Sequence, residues 1–404
     1  MAVGTDQLRR DNVAAVLRSL RADGPATRAE LAVRTGLAKA TVGAIVADLE
    51  GAEAVAEGAA RAGARGRPGR PVELRGRRHL GLGLELNVDY VAAVVLDLAG
   101  EVVQVETRAA TPSDREQRLL ELARGCLHAH PDARWAGVSL AVPGLVRSDE
   151  RTVAWAPNLG LDDVDVAARV EAGLAGTAAA RCAVRVANDA NCASLAELHH
   201  GAAAGVSHAL YLTGTVGIGA GIVVGGELMR GAAGFAGEVG HIPVGDPEAP
   251  CGCGRRGCWE AQIGLAALVP EHLGSADSAD PSDPSGSAAA DDRSPLALAE
   301  DLAAQAAGDP SAAQRLTRLG SDLGLGLTIL AGVLDPHVVV LGGYFVPLLD
   351  HVLPTARAVL DERLGSRAQV RPELRGSVLG VHAAALGAAE QSLDRLLLDG
   401  DLAS

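Results

Sequence analysis

Between positions 241 and 258 the chain places His241, Cys251, Cys253 and Cys258, which puts half of its six cysteines inside eight residues. Three thiolates and one imidazole are the donor set of a closed tetrahedral zinc site. With no open position for a reacting ligand, the ion expected here is structural, one Zn2+ per chain. Gly252, Gly254 and Gly257 let the loop turn tightly enough to aim the sulfurs inward. Three free thiols are the alternative, and the clustering argues against it. Whatever the chain folds into must carry this tight loop in its second half. The other three cysteines are too few for a disulfide scaffold in 404 residues, so a reducing cytoplasm is the expected compartment.

A chain of 404 residues, 48% hydrophobic, exceeds one compact core and points to two or three domains. Its longest apolar region, 323–343, is interrupted by Asp335, Pro336 and His337. It falls short of the roughly 18 apolar residues a membrane span needs. Arg9, Arg10, Asp11 and Arg18 interrupt any secretory leader. Charge is unevenly spread: residues 1–80 hold 14 basic and 9 acidic side chains, the remainder 22 and 41. Such a basic head could meet a polyanion that the acidic body would repel, although the excess alone also fits an ordinary surface.

The head reads as helices. Val13, Val16, Leu17 and Leu20 form one helical stripe, and Val42, Ile45, Val46 and Leu49 another. Between them Thr27 and Glu30 have the spacing of a capping box, and Gly36 breaks the short helix it opens. Helix, Gly-containing turn, helix is the helix-turn-helix pattern, though many αα-hairpins share it. Lys39 and Thr41 begin the expected recognition helix. Val55 to Glu57 is a strand candidate, followed by an Arg-rich stretch from Arg61 to Arg78 that contains Gly66-Arg67-Pro68-Gly69-Arg70-Pro71. Pro extends that backbone and Gly removes bulk, so Arg67 and Arg70 are candidates for entering a DNA minor groove; a solvated linker is the other reading.

From His79 onward strands take over. Leu80–Leu86, Tyr90–Asp97 and 101–107 form a β-meander, and a second begins at His208–Thr213 and Gly219–Val224. Each is followed by α/β material, which indicates an internal duplication. The stretch 274–294 is rich in Ser, Asp, Pro and Ala, with no large apolar residue, and reads as a disordered insertion. Asp189 sits where a strand ends and a helix begins, in the position of a helix cap. Glu238 precedes His241 by three residues, and Glu260 follows Cys258 by two. Carboxylates held at a strand end and beside a metal loop, facing one cleft, could bind a polyol. His241 can serve twice, one ring nitrogen on the metal and the other toward the ligand.

The stretches AVPGLV, ANDANCASLAE, GIGAGIVVGGELMRGAAGFAGEVGH, CGCGRRGCWE and DPHVVVLGG, all between residues 141 and 343, resemble the ROK family of sugar kinases and sugar-responsive repressors. The N-terminal region with GRPGRP resembles the winged helix-turn-helix of its repressor branch. The resemblance implies an α/β fold of duplicated actin/hexokinase-like (ribonuclease H-like) lobes, preceded by an α+β winged head. The expected domains are the head at 1–79, a first lobe at 80–188 plus 378–404, and a second at 189–377. It also implies a sugar site of Asn188, Asp189, Glu238, His241 and Glu260, with Gly144 and Asn158 beside it. In the family's kinases the residue matching Asp189 deprotonates the sugar hydroxyl.

Two departures separate regulator from kinase. Family kinases wrap the ATP phosphates with an Asp-x-Gly-Gly-Thr hairpin; here the aligned residues are Glu85, Leu86, Asn87, Val88 and Asp89. The glycines and the Thr are gone, and Asp89 would repel phosphate. A second loop, Gly-Thr-Gly-Ile-Gly in the kinases, reads Thr215-Val216-Gly217-Ile218-Gly219. The expectation is therefore a sugar-responsive regulator, a repressor, with a kinase-derived sensor that has lost phosphoryl transfer. Its partners would be operator DNA, a sugar or sugar-derivative effector and further copies of itself, as a homodimer or higher, with no membrane. The rivals are an active sugar kinase carrying a DNA-binding head, for which Asp189 argues, and a zinc-stabilised scaffold without ligand.

Overall fold

In the computed structural model, which describes residues 5–59, 69–215, 217–268, 294–365 and 371–400, the first helix, α1 (Thr5–Asp23), buries Val13, Val16, Leu17 and Leu20. After β1 (Ala26–Thr27), Thr27 accepts from the Glu30 N–H and Glu30 accepts from the Thr27 N–H at 2.7 Å. That closed capping box opens α2 (Arg28–Thr35), which Gly36 ends in the left-handed conformation. α3 (Lys39–Gly51) buries Val42, Ile45, Val46 and Leu49 against them. β2 (Val55–Glu57) and β3 (Pro71–Leu74) then complete a three-stranded sheet in the order β1-β3-β2. The head is a winged helix-turn-helix.

β3 departs from the sequence reading. The described end of the Arg-rich stretch forms a strand: Val72 pairs with Ala26 on one side and Glu57 on the other, and it is fully buried. Pro71 opens the strand, where its missing N–H does no harm. Arg67 lies outside the described residues. So does the expected insertion up to its last residue, Ser294, which instead caps a helix, accepting from the Ala297 N–H.

The sensor is built on two sheets of the same design. In the first, β4 (His79–Leu86), β5 (Tyr90–Asp97) and β6 (Val102–Ala109) form the antiparallel meander. α4 (Arg115–Ala129) crosses to β7 (Arg134–Val142), parallel to β4. A side sheet of β8 (Leu145–Val146), β9 (Thr152–Ala156) and β10 (Leu161–Asp165) follows, then α5 (Val166–Gly173). β11 (Val184–Asn188) adds to β7, and α6 (Asp189–His200) leaves its end. In the second, β12 (Ala209–Gly214), β13 (Ile218–Val224) and β14 (Glu227–Leu228) repeat the meander. The metal loop and the short helices α7 (Glu260–Ile263) and α8 (Leu265–Leu268) come next, then α9 (Pro295–Ala306) and the long α10 (Pro310–Leu334). β15 (Val338–Gly343) lies parallel to β12, and after α11 (Leu349–Leu364), β16 (Glu373–Gly376) lies parallel to β15. The strand orders, β11-β7-β4-β5-β6 and β16-β15-β12-β13-β14, are the same permutation, so the duplication is real. The chain ends in α12 (Ala383–Ser392) and α13 (Asp394–Leu397).

Two compact units result: 1–192 with 384–404, which joins the head and the first sheet, and 193–383. Each has its own apolar core. β4, β5, β7 and α4 supply Leu82, Leu84, Val95, Leu122 and Leu140 in one; α10, β15 and α11 supply Leu319, Leu323, Leu341 and Val352 in the other. Among the described residues no helix is long and apolar enough to cross a membrane.

Candidate functional site

The four side chains expected to ligate a metal converge. The donor atoms of His241, Cys251, Cys253 and Cys258 all lie within 4.8 Å of one another. Cys253 Sγ and Cys258 Sγ stand 3.7 Å apart, and Cys251 Sγ lies 3.8 Å from His241 Nδ1. Zn–S bonds of about 2.3 Å in a tetrahedron require sulfurs roughly 3.8 Å apart, so the cluster has the size to hold a metal ion. His241 would bind through Nδ1, which leaves Nε2 for another partner. Trp259, next to the last cysteine, anchors the loop: it is fully buried and its Nε1 donates to Asp322 O of α10 at 2.8 Å. Gly326 makes room for the indole, since a Cβ there would lie 2.1 Å from it.

Glu260 opens α7 directly after this anchor. One carboxylate oxygen lies 3.5 Å from Cys251 Sγ, and the other accepts from the Ile218 N–H at 2.8 Å. The side chain thus joins the metal loop to the start of β13. Gly217 permits this approach, because a Cβ there would stand 2.8 Å from Glu260 Oε2. Burial pushes the Glu238 carboxyl above the ordinary carboxylate range, against the pull of His241. Glu238, His241 and Glu260 therefore form one polar group within the second unit.

The remaining sugar-site candidates lie in the first unit. The expected cap assignment is corrected there: Asn188, not Asp189, caps α6, its Oδ1 accepting from the Asn191 N–H at 3.0 Å. Asn188 Nδ2 also donates to Gly144 O at 3.1 Å, which ties the two residues together. Gly144 sits at φ 142, pressed on β9 so closely that a Cβ would meet Ala156 at 2.6 Å. Asn158, in the 3-10 turn after β9, is exposed. Asp189, relieved of the cap, accepts from the Ala190 N–H at 2.9 Å.

The altered hairpin between β4 and β5 is closed by its own side chains. Asn87 Oδ1 accepts from the Val88 N–H at 2.7 Å, occupying an amide that a phosphate would need. Asn87 Nδ2 and the Tyr90 hydroxyl both donate to Glu85 Oε1, at 2.9 and 2.6 Å. Sequence reasoning singled out Glu85 to Asp89 but not Tyr90; its spacing from Glu85 across a two-strand turn was the available signal. Burial pushes the Glu85 carboxyl up to about 7, with nearby Asp189 adding to the effect. A group whose folded pKa is raised stabilises the fold below its unfolded pKa, near 4.5, and that contribution disappears as pH rises through the folded value. Wild-type stability should therefore fall between pH 4.5 and 7 by on the order of 2–3 kcal/mol from this group. Glu85→Gln should flatten that slope in denaturant titrations at a series of pH values.

In the head, Lys39 is exposed and Thr41 half-buried at the start of α3, which begins at Ala38 without a side-chain cap. Arg70 is exposed but stands 3.7 Å from Glu57, a carboxylate that also pairs with Arg28 at 3.0 Å. Val216 of the second altered loop lies outside the described residues.

Residues 81–394 match the ROK family, to which the chain belongs. Within it the chain is 27% identical over 389 residues to the xylose repressor of Bacillus subtilis, covering 95% of this chain and 94% of that protein. It is 29% identical to a glucokinase of Streptomyces coelicolor, with 77% of this chain and 96% of the glucokinase covered. A crystal structure of a ROK family transcriptional regulator, a homologue of the E. coli MLC protein, superposes with a TM-score of 0.77 at 25% identity, covering 97% of this chain and 98% of that one.

Proposed function

We propose that the protein is a sugar-responsive transcriptional repressor whose winged head binds operator DNA and whose kinase-derived body binds a monosaccharide. The closed hairpin carries this reading. Phosphoryl transfer consists largely of positioning phosphates and neutralising their charge. Here Asn87 fills the Val88 amide, Glu85 lies buried beneath, and exposed Asp89 adds negative charge. Similarity to a repressor over 95% of the chain supports it, whereas the glucokinase match covers 77%. Asn188, Asp189, Glu238, His241 and Glu260 are the proposed sugar-binding residues, with Gly144 and Asn158 at its edge. A structural zinc on His241, Cys251, Cys253 and Cys258 would hold the loop that carries Glu260. Lys39, Thr41, Arg67 and Arg70 are the proposed DNA contacts. Because a helix-turn-helix protein reads a two-fold operator as a pair, the working species is a homodimer or a higher homo-oligomer, acting in the cytoplasm.

Retained Asp189 and the glucokinase relative favour the rival, an active kinase with an added head. One paired experiment separates the two. Calorimetry with d-xylose and d-glucose should detect binding, and a coupled assay with the same sugars and Mg-ATP should detect no ADP release. Asp189→Ala should abolish the sugar's effect on operator binding while sugar-free operator binding persists. Sugar-dependent ADP release on the order of 1 per second or faster, lost in Asp189→Ala, would make the protein a kinase.

A further inference from the structure

The first unit contains both the DNA-binding head and one set of the proposed sugar-binding residues, and a buried ion pair joins the head to the rest. Arg21, near the end of α1, meets Glu390 of α12 at 2.5 Å, with the two side chains only 14% and 6% exposed. A surface pair such as Arg9 with Asp48 leaves its partners 65% and 45% exposed. Arg21 also donates to Leu98 O at 3.2 Å, and Arg18 to Leu397 O at 3.0 Å, so α1 packs on α13 and reaches α12 through Arg21.

α12 also rests on the elements that carry Asp189 and Glu85. Gly387 meets the first turn of α6 so closely that a Cβ would stand 1.6 Å from Cys192 O. A Cβ at Gly83 of β4 would lie 2.0 Å from Ala385 O, and one at Gly137 of β7 would lie 2.5 Å from Ser392 O. Backbone against backbone leaves no flexible side chain to absorb a shift. Movement of the first turn of α6 must therefore displace α12 as a body.

We infer that Arg21 and Glu390 are the positioning pair through which α12 sets the placement of the DNA-binding head in response to sugar. This rests on the repressor reading above. Buried and charge-assisted, the pair is stringent: a small displacement of α12 separates two charges that cannot turn to water, so the head must follow or release. Neither residue belongs to the proposed sugar or DNA contacts.

The test uses the full chain and three variants: Glu390→Gln, the paired neutral Arg21→Met with Glu390→Gln, and the swapped Arg21→Glu with Glu390→Arg. The paired variant guards against unfolding caused by one orphaned charge. Sugar affinity is measured by calorimetry with d-xylose and d-glucose. Operator affinity is measured by fluorescence anisotropy, with and without sugar, on a duplex selected from random sequence. In the wild type the sugar should change operator affinity roughly fivefold or more, and in the paired variant less than about twofold, while sugar affinity stays within about twofold. The swap should restore part of the response. An unchanged response in the paired variant would overturn the inference. A wild type that binds operator but ignores every sugar would defeat the repressor reading itself. Hydrogen exchange then reads the pair without any ligand: amides of α1 exchanging about tenfold faster in the paired variant, with β4 unchanged, support it, and unchanged α1 exchange overturns it.

Discussion

Cys253→Ser is expected to cost the protein its metal and, with it, both stability and sugar affinity. Structural zinc contributes apparent binding free energies of about 10–16 kcal/mol in zinc-finger peptides. Here the loop is also anchored by Trp259, so only part of that is at stake. A loss of about 3 kcal/mol would lower the melting temperature of a unit this size by roughly 6–12 °C. Sugar affinity should fall roughly tenfold or more, because Glu260 lies 3.5 Å from Cys251 Sγ and loses one side of its support. Metal analysis, thermal melts and calorimetry on the same preparation check all three. A metal-free variant that bound sugar normally would show that the loop does not place Glu260.

Trp259→Ala should be comparably severe by a different route. Removing a fully buried indole costs about 3–5 kcal/mol through lost burial and the cavity left behind. It also withdraws the hydrogen bond from the Asp322 carbonyl. The four metal ligands remain, so the variant should retain about one metal ion per chain while melting roughly 6–20 °C lower. Sugar affinity should fall too, since Glu260, the next residue, opens α7. A variant that lost metal along with stability would instead mean that the indole forms the cluster rather than merely seating it.

The His/Cys cluster was legible in the sequence because its four side chains fall within one short stretch and their residue types are those of a metal-ligand set. Both meanders were legible for the same local reason, as alternation and turns repeat over a few residues. What seats the cluster was not legible: Trp259 depends on Gly326, an unremarkable glycine in a distant helix. β3 was hidden because its partners, β1 and β2, arrive from elsewhere, while its Arg- and Pro-rich surroundings suggest an arm. At Asn188 and Asp189 both residue types make good caps, and only the hydrogen bond to Asn191 distinguishes them. The hairpin between β4 and β5 drew attention through its lack of glycines; its closure by Tyr90 needed side-chain positions.

The last helices belong to the unit that begins the chain, and this orders events during synthesis. Residues 193–383 form a continuous unit, while the first unit is completed only by residues 384–404. At a ribosomal pace of about 5–20 residues per second, the strip of β4 and β7 at Gly81, Gly83 and Gly137 waits roughly 12–60 s for α12 to cover it. A strip of glycines is what such an interval can tolerate, since it offers little apolar surface to a neighbouring nascent chain. The head, translated first, is therefore among the last parts of the protein to find its seat.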